Sequence, residues 1–348
     1  MGAGRVCHDM VQALKSIPLA AKVQTVGCRD LERSIAFADL HGIPNRVGSY
    51  EDVAKDPEVE IVYVAMVHPF HYENAVVALQ NGKHVLVEKP STCSLSDTRA
   101  LAVLAREKGL FIMEGMWTRF FPAMNKAREL VKAGVVGNVV AVHSDFGFNG
   151  DDVATYPDHP FYDLHLGGGG LFYVAPYPVA VAAEFLGPGL PSRVAAAGVK
   201  DKLTGVDLSG AISLHYEGKG IASLTYNIQA ETAEETSIIG TKGRIKILSP
   251  GHAPTVIEVT TKENGRGNTT TKRLDFPLPT PPPCVDATGG FYYPNSNGFQ
   301  FEAEAIYECI RAGKTSCPLY PPSEMMAVMY VLDETRKQLN IGDVKGKP

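Results

Sequence analysis

The sequence has no long basic segment, although such a segment is the usual mark of a chain that binds nucleic acid. Its 33 Lys and Arg residues are outnumbered by 38 Asp and Glu residues, which leaves a formal net charge of -5 at pH 7. An acidic balance of this kind disfavours contact with a phosphate backbone. We therefore expect no nucleic-acid partner.

A long apolar run is absent too. No stretch reaches the roughly 18 consecutive apolar residues of a transmembrane helix, and the first residues show no apolar core of a signal peptide. We therefore expect no membrane partner. The cysteines are dispersed, without the Cys-x-x-Cys spacing of a zinc site, so they predict reduced thiols in the cytoplasm. They are Cys7, Cys28, Cys93, Cys284, Cys309 and Cys317.

Two apolar runs predict a parallel sheet in the first part of the chain. Residues 61–66 and 84–87 are almost continuously apolar, as expected for strands buried on both faces, and a helical pattern lies between them. In such sheets, ligands bind outside the carboxyl ends of the strands. The polar or helix-breaking residues at these ends are His68, Pro69, His71, Glu88, Lys89 and Pro90.

A glycine loop and two arginines predict a dinucleotide site. Gly2 and Gly4 match the start of a G-x-G-x-x-G/A loop, in which the backbone approaches a pyrophosphate at a helix N-terminus. The alternative is a flexible glycine-rich terminus. Arg29 and Arg33 follow the next predicted strand, where a ribose 2′-phosphate would lie, and so favour NADP over NAD. Two solvated surface arginines are the alternative.

The expected first strand of this sheet is missing, because only Met1 precedes the glycine loop. Loss of a central strand would leave backbone groups on both neighbouring strands without partners. We therefore expect that the native chain begins upstream of Met1.

Later strand patterns predict a second kind of sheet. Apolar alternation recurs in short segments with no long helix between most of them, which is typical of mainly antiparallel pairing. We predict a dinucleotide-binding domain at residues 1–115 and a substrate-binding and dimerisation domain at 116–348. The predicted strands are 139–146, 194–199, 209–215, 220–228, 235–239 and 243–248, and the predicted closing helices are 299–311 and 323–339.

Lys89 and Tyr177 are the candidate catalytic residues. A tyrosine has a free pKa near 10, and a nearby lysine charge stabilises its phenolate. A solvated Lys89 and a core Tyr177 are the alternatives. His68 and His71 could be two metal ligands, but no further ligand lies near in sequence, so we expect no metal. Asp207 is expected to be a loop residue.

These motifs together resemble the Gfo/Idh/MocA oxidoreductases. The resemblance implies a Rossmann domain followed by an open, mainly antiparallel sheet whose exposed face pairs two subunits. It also implies hydride transfer between NADP and a trans-dihydrodiol or an aldose such as D-xylose. The motifs are the G-x-G start, His68-Pro69-x-His71, Glu88-Lys89-Pro90, the run WTRFFP at 117–122, and the glycine-rich segment that precedes Tyr177.

The resemblance also assigns roles to residues of this sequence. Lys89 and Tyr177 form the catalytic pair, and Arg29 and Arg33 bind the 2′-phosphate. The other cofactor-binding residues are Gly2, Gly4, His68, Pro69, Glu88, Lys89 and Arg119, and the substrate-pocket residues are Trp117, Phe146 and Tyr173.

Tyr173 and the missing first strand keep a second function open. Relatives carry an aspartate four residues before the catalytic tyrosine, whereas this chain has Tyr173, which cannot supply a carboxylate charge. Pro176 and Pro178 also fit poorly into a helix interior. The alternative function is a non-catalytic binding protein of the same fold that senses a cofactor or a sugar.

Overall fold

The computed structural model describes residues 1–18, 22–152, 154–187, 189–263 and 267–344. The chain divides into two compact units. The first unit comprises Met1–Thr92, Ser96–Phe120 and Leu278–Met325, and the second comprises Cys93–Leu95, Phe121–Pro277 and Met326–Pro348. The domain boundary after residue 115 stays a prediction. The two compact units contain segments that pack together, and such segments need not fold as one domain.

The chain alternates strands and helices in its first part and is rich in strands in its second. The strands are β1 (Thr25–Gly27), β2 (Asn45–Val47), β3 (Ile61–Val64), β4 (His84–Glu88), β5 (Ile112–Gly115), β6 (Val139–Gly147), β7 (Arg193–Lys200), β8 (Asp207–Tyr216), β9 (Gly220–Asn227), β10 (Thr236–Gly240), β11 (Gly243–Ile247), β12 (Val256–Lys262) and β13 (Thr269–Asp275). The helices are α1 (Arg5–Lys15), α2 (Leu31–His41), α3 (Tyr50–Lys55), α4 (His71–Gln80), α5 (Leu95–Glu107), α6 (Pro122–Lys132), α7 (Gly170–Tyr173), α8 (Pro176–Leu186), α9 (Pro283–Asp286), α10 (Phe299–Arg311) and α11 (Pro322–Gln338).

The first unit contains parallel strand pairs, as predicted. β1 pairs with β2, and β4 lies between β3 and β5. In β4, Val85, Leu86 and Val87 are 0%, 4% and 0% exposed. Since successive side chains of a strand point to opposite faces, this strand is buried on both.

Met1 and Gly2 lie between β1 and β3. The Gly2 N–H donates to the Gly27 carbonyl oxygen at 2.9 Å, and the Ala65 N–H donates to the Met1 carbonyl oxygen at 3.0 Å. In the described part of the chain, the position of the predicted missing strand is therefore represented by two residues. They bond to the backbone on both sides.

Side-chain caps explain where two helices of the first unit begin. The Asp30 carboxylate accepts from the Arg33 N–H at the start of α2, and the Ser49 hydroxyl accepts from the Asp52 N–H at the start of α3. α2 ends at Gly42, whose φ of 69° is in the left-handed region that suits glycine. The Asp30 cap lies between Arg29 and Arg33 in sequence.

The second unit contains an eight-stranded sheet in the order β13-β12-β11-β10-β6-β9-β8-β7. Every pair is antiparallel except β6 with β9, which confirms the prediction of a mainly antiparallel sheet. The prediction missed β12 and β13. In β13 the sequence is TTTKRLD and six of its seven residues are exposed, so the strand has no alternating apolar signal.

One face of this sheet packs on an apolar helix and the other is open. α8 is almost entirely buried and contacts β6 and β9. On the opposite face of β7, β8 and β9, the outward residues in the middle of the strands are small or hydroxylated, and Arg193, Val199, His215 and Ile221 lie outward nearer the strand ends. The small or hydroxylated residues include Ala195, Ala197, Ala211, Ser213, Ser223 and Thr225, all of which are exposed.

No single helix in the described ranges has the length and apolar composition needed to cross a membrane. One bent pair, Leu164–Tyr173 with Pro176–Leu186, meets that requirement by length and composition only.

Candidate functional site

Lys89 directly follows β4 and has an altered acidity. Partial removal of its ammonium from water lowers its pKa to about 8, while the negative charges of Glu88 and Glu114 act in the opposite direction. A lysine with this pKa can exchange a proton near neutral pH and can also act as a fixed positive charge. Lys89 therefore has the property expected of a catalytic lysine.

Glu88 is held in place beside Lys89. The Tyr63 hydroxyl donates to Glu88 Oε1 at 2.5 Å, and the Lys89 N–H donates to Glu88 Oε2 at 3.1 Å. Burial raises the pKa of Glu88. Glu88 was predicted from the sequence but Tyr63 was not, because a tyrosine within an apolar strand has no distinctive pattern.

His71 joins the ends of β3 and β4. Its Nδ1 lies 2.8 Å from the Pro90 carbonyl oxygen and its Nε2 lies 2.9 Å from that of Met66. Burial lowers the pKa of His71. The neighbouring His68 is also buried, and its ring lies edge-on to that of His71 with centroids 5.8 Å apart. His71 thus contacts backbone on both sides, which positions the turn that contains Lys89.

Glu114 was not identified from the sequence as a site residue. Its Oε1 accepts from the Ser91 N–H at 2.7 Å, and its Oε2 accepts from the Tyr320 hydroxyl at 2.6 Å. Burial raises its pKa to about 7. The Tyr320 partner is 206 residues away in sequence, so no local pattern could indicate this contact.

Arg119 and Trp117 lie in the first unit at the end of the segment that follows β5. Arg119 forms an ion pair with Glu324 at 2.9 Å, and its guanidinium lies 5.0 Å from the Tyr320 ring centre. Trp117 stacks on Phe299 with ring centres 4.2 Å apart. Both side chains are buried, at 4% exposure each. Their predicted roles at the cofactor and the substrate stay predictions.

Arg33 contacts the glycine loop, and Arg29 lies against Phe70. Gly4 precedes α1, and a Cβ added there would meet nothing within 4 Å. A Cβ added at Gly2 would collide with the Ala65 carbonyl, and its φ of +114° also requires glycine. Arg33 Nη2 donates to the Ala3 carbonyl oxygen at 3.4 Å, whereas Arg29 lies 5.0 Å from the Phe70 ring centre.

This arrangement fits a dinucleotide phosphate. Arg29 and Arg33 are exposed, so their guanidinium groups are accessible to a ligand. The start of α1 presents backbone N–H groups beside them, and its first turn contains no acidic residue. Pro69 lies in the short 3-10 helix His68–Phe70, which adjoins the Arg29 contact. The arginine charges also favour ionisation of Tyr50, although burial raises its pKa overall.

Tyr177 lies in the first turn of α8 in the second unit. Pro176 and Pro178 are the first and third residues of that helix. The first four N–H groups of a helix have no intrahelical acceptor, so a proline there loses no hydrogen bond. Helix α8 begins at Pro176, so neither proline lies in a helix interior, where we expected a poor fit.

The glycine-rich segment before Tyr177 packs closely against two strands. A Cβ at Gly169, where φ is +101°, would collide with the Asp207 carboxylate, and one at Gly170 would lie 2.7 Å from the Tyr226 ring. The Leu171 N–H donates to Asp207 Oδ2 at 2.6 Å. Asp207 begins β8 and is 1% exposed, with its pKa raised to about 6 by burial. The expectation of a loop residue was therefore wrong.

Three rings meet around Tyr177. Its ring centre lies 5.3 Å from that of Phe146 and 5.5 Å from that of His252, and the Phe146 and His252 rings stack at 4.5 Å with an interplanar angle of 4°. Tyr173 lies edge-on to Phe161 at 4.7 Å. Phe146 and Tyr173 were predicted from the sequence but His252 was not, because it is a single histidine in a turn.

No group of three or more His, Cys, Asp or Glu side chains able to hold a metal occurs in the described ranges. The titratable residues near the end of β4 instead bond to one another or to the backbone. Proton transfer and charge stabilisation are the chemistry that these side chains offer.

Two family models match the chain. The model for the "Oxidoreductase family, NAD-binding Rossmann fold" matches residues 1–116, and that for the "GFO/IDH/MocA C-terminal domain" matches residues 124–246. Among curated relatives, the trans-1,2-dihydrobenzene-1,2-diol dehydrogenase of Xenopus tropicalis is 33% identical over 97% of this chain and 96% of the relative. The protein of the same name from Homo sapiens is 32% identical over 98% of this chain and 96% of its own.

Solved structures with the same fold are more distant in sequence. A 3-ketoreductase from Actinomadura kijaniata, in complex with NADP and TDP-benzene, has a TM-score of 0.79 and 21% identity, and the match covers 97% of this chain and 96% of that one. A levoglucosan dehydrogenase in complex with NADH and levoglucosan has a TM-score of 0.81 and 16% identity, with coverage of 97% and 95%. At these identities the likeness establishes the fold.

The raised pKa of Glu114 predicts how stability depends on pH. Between about pH 4.5 and 7 the folded chain retains a proton that the unfolded chain has lost, so this carboxyl lowers the free energy of unfolding as pH rises. Glu114→Gln removes the titration. The free energy of unfolding of the variant minus that of the parent should be about 2 to 3 kcal/mol larger at pH 8 than at pH 5. Each pKa unit corresponds to about 1.4 kcal/mol.

Urea unfolding at both pH values measures this difference. The exposed Glu107→Gln serves as the control and should show the same stability change at both. An equal change for Glu114→Gln at pH 5 and pH 8 would contradict the assignment.

Proposed function

The chain belongs to the Gfo/Idh/MocA family of oxidoreductases, and we propose that it is an NADP(H)-dependent dehydrogenase that oxidises aldoses such as D-xylose, trans-dihydrodiols, or both. The observation that carries the proposal is Lys89, whose pKa is lowered to about 8 at the carboxyl end of β4. The dehydrogenase names of the relatives support it. The substrates in those names indicate that this chain acts on a small hydroxylated molecule.

The proposed reaction separates a hydride from a proton. A nicotinamide bound at this site would supply the acceptor for the hydride that leaves the carbinol carbon of the substrate. We assign Tyr177 as the base that takes the hydroxyl proton, so that the alcohol becomes a carbonyl. We assign Lys89 as the positive charge that favours the phenolate, as the family resemblance implies.

NADP is the proposed cofactor because of Arg29 and Arg33. Both are exposed, and Arg33 contacts the glycine loop. A carboxylate would bond the two ribose hydroxyls of NAD, whereas guanidinium groups suit a phosphate. Asp30 lies between them in sequence, but its carboxylate caps α2.

Replacement of both arginines tests this choice of cofactor. Arg29→Gln with Arg33→Gln should weaken NADP binding by about 100-fold or more and NAD binding by less than about 3-fold, because each charged contact to phosphate contributes about 1.5 to 3 kcal/mol. Titration of tryptophan fluorescence or calorimetry would measure both dissociation constants. Arg106→Gln, an exposed change on α5, is the control. An equal loss for NADP and NAD would refute the proposal.

The catalytic assignments predict different losses for Lys89 and Tyr177. Lys89→Met removes the charge, so it should abolish most activity and shift the pH optimum of the remainder while NADP binding falls only partly. Tyr177→Phe removes only the hydroxyl, so turnover should fall by about 100-fold or more with cofactor affinity nearly unchanged. Steady-state kinetics and NADP titration separate the two effects. The exposed Lys108→Met provides the charge-removal control.

The alternative function is a non-catalytic sensor of a cofactor or a sugar, and Tyr173 favours it. A parent chain that binds NADP normally but turns over none of a panel of aldoses and dihydrodiols would support the sensor. Restoration of an acid by Tyr173→Asp sharpens the comparison. An enzyme should gain turnover from that change in the parent but not in the Tyr177→Phe variant.

We also propose a cytoplasmic homodimer that pairs through the open face of β7, β8 and β9. The middle of this face carries small, uncharged and exposed residues, and Val199 and Ile221 are apolar and 55% and 49% exposed, which suits close contact between two copies of the sheet. The six cysteines are dispersed in sequence without Cys-x-x-Cys spacing, which supports the cytoplasmic assignment.

A charge in the open face should separate the subunits. Ser213→Glu places two like charges near the centre of the proposed interface, so the dimer should dissociate at micromolar concentration. Light scattering coupled to size exclusion measures the mass, and Thr270→Glu on the exposed β13 is the matched control. A parent that is a monomer, or a Ser213→Glu variant that stays dimeric, would contradict this interface.

A further inference from the structure

A buried carboxylate bonds to the segment that precedes Tyr177. Asp207 Oδ2 accepts from the Leu171 N–H at 2.6 Å, and Asp207 is 1% exposed. A Cβ at Gly169 would lie 2.4 Å from Asp207 Oδ1, so the carboxylate has room only beside a glycine. Hydrogen bonds to an ionised acceptor are about twice as strong as neutral ones. The charge of Asp207 is therefore applied to a single backbone N–H group.

That N–H belongs to a peptide group on which two further bonds depend. The Leu171 N–H and the Gly170 carbonyl are the two ends of one planar peptide. The carbonyl oxygen accepts from the Val174 N–H at 2.9 Å and from the Ala175 N–H at 3.1 Å. Consecutive hydrogen bonds in a buried site polarise one another, so a charge at one end strengthens the next bonds. The Asp207 charge thus stabilises the whole turn.

The same series of bonds reaches Tyr177. Two buried residues are all that separates α7 from α8. Pro176 and Pro178 have no N–H, so Tyr177 supplies the only backbone donor among the first three residues of α8. The Tyr177 N–H donates to the Val174 carbonyl oxygen at 3.3 Å. The backbone of Tyr177 is therefore attached to the turn that Asp207 holds.

Ionisation of Asp207 lowers the stability of the folded chain. Burial raises its pKa from 3.8 to about 6, although the bond from Leu171 acts in the opposite direction. Between these two pH values the folded chain keeps a proton that the unfolded chain has lost, so stability falls as pH rises. A buried charge that is retained at a cost in stability is typical of functional sites.

The groups that face Asp207 do not neutralise its charge. Tyr226 on β9 is a phenol whose pKa is raised by burial and by the Asp207 charge. Lys200 is the strand partner of Asp207 on β7, but its Nζ donates to the Asn340 carbonyl oxygen at 3.0 Å. α7 itself contains no charged residue. The Leu171 N–H is therefore the contact that compensates the carboxylate.

We propose that Asp207 is a positioning residue for Tyr177, whose ionised carboxylate fixes the turn over residues 170–175 and so holds the phenol where it can take the substrate proton. The inference rests on the proposed dehydrogenase function, because that function assigns Tyr177 as the base. Asp207 acts through the backbone, and its protonation weakens the turn and slows turnover.

Two variants separate the charge of Asp207 from its hydrogen-bond acceptor. Asp207→Asn keeps an acceptor oxygen without the charge, and Asp207→Ala removes both. At pH 8, kcat should fall about 3- to 10-fold in Asp207→Asn and about 30-fold or more in Asp207→Ala, because a misplaced catalytic group slows the chemical step. KM and the dissociation constant of NADP should change by less than about 2-fold.

A matched control removes a carboxylate from another strand end. Asp275→Asn, at the exposed end of β13, should leave kcat and KM unchanged. If Asp207→Ala fails to fold, Asp207→Asn and its pH dependence decide the outcome.

The pH dependence identifies the charge as the active feature. The ratio of kcat for Asp207→Asn to kcat for the parent should rise toward 1 as pH falls, with a midpoint near pH 6, because the parent then loses the same charge. Ionisations that both proteins share, such as those of Lys89 and Glu114, cancel in this ratio. A merely structural role for Asp207 would give one ratio at every pH and would overturn the inference.

Hydrogen exchange tests the turn without any turnover. In the parent, the amides of residues 171–177 should exchange about 10-fold more slowly at pH 7.5 than at pH 5, after correction for the intrinsic rates. In Asp207→Asn this difference between the two pH values should disappear. Mass spectrometry of peptides that cover residues 167–178 measures both proteins.

The outcomes distinguish this inference from the proposed function. An active parent whose kcat ratio to Asp207→Asn does not change with pH overturns the inference alone. Equal corrected exchange at both pH values overturns it whether or not the chain is an enzyme. A parent that is inactive on every aldose and dihydrodiol overturns the proposed function, and the role of Asp207 in turnover with it.

Discussion

Burial of ionisable groups at the carboxyl end of β4 is the constraint on which the first unit depends. Lys89 there is associated with Glu88 and Glu114, and burial raises the pKa of both acids while it lowers that of the lysine. A third acid, Glu302, is 0% exposed, and neither of its carboxyl oxygens has a hydrogen-bond partner among the described residues. Burial raises its pKa well above the ordinary value, which favours the neutral acid. Several acids can therefore lie near one lysine, because acids whose pKa is raised by burial need not all be ionised.

The supporting contacts come from three separate segments of the chain. Tyr63 on β3 bonds Glu88, Tyr320 bonds Glu114, and His71 lies between two backbone carbonyl groups. Each contact satisfies a buried polar group that would otherwise cost about 1 to 3 kcal/mol. A change at any of these partners should therefore affect the acidity of Lys89 as well as stability.

The second unit positions Tyr177 by close packing. Asp207 binds the N-terminus of α7, and the glycines before it allow the backbone to approach β8 and β9. α8 then follows, with its two prolines in the first turn where they cost no hydrogen bond. This packing explains why the segment is rich in glycine. A side chain at Gly169 or Gly170 would collide with Asp207 or Tyr226 and displace the start of α7, which precedes α8.

The sequence by itself determined the fold class and much of the candidate site. The apolar runs before His68 and Lys89 indicated buried parallel strands, and the alternation in β6 to β11 indicated the second sheet. The pattern of apolar residues within one strand indicates which of its faces are buried, so these strands could be predicted from the local sequence. The glycine loop, Arg29 and Arg33 were recognisable for the same reason, since their spacing lies within one supersecondary unit.

Only the tertiary structure decided which side chains surround those residues. Asp207, the contact between the rings of His252 and Tyr177, and the bond between Tyr320 and Glu114 join positions far apart in the chain. A single histidine in a turn or an acid at a strand end has no pattern that names its partner. Burial and pairing of polar groups depend on contacts between segments, so the chemistry of the site became visible only when the chain was folded.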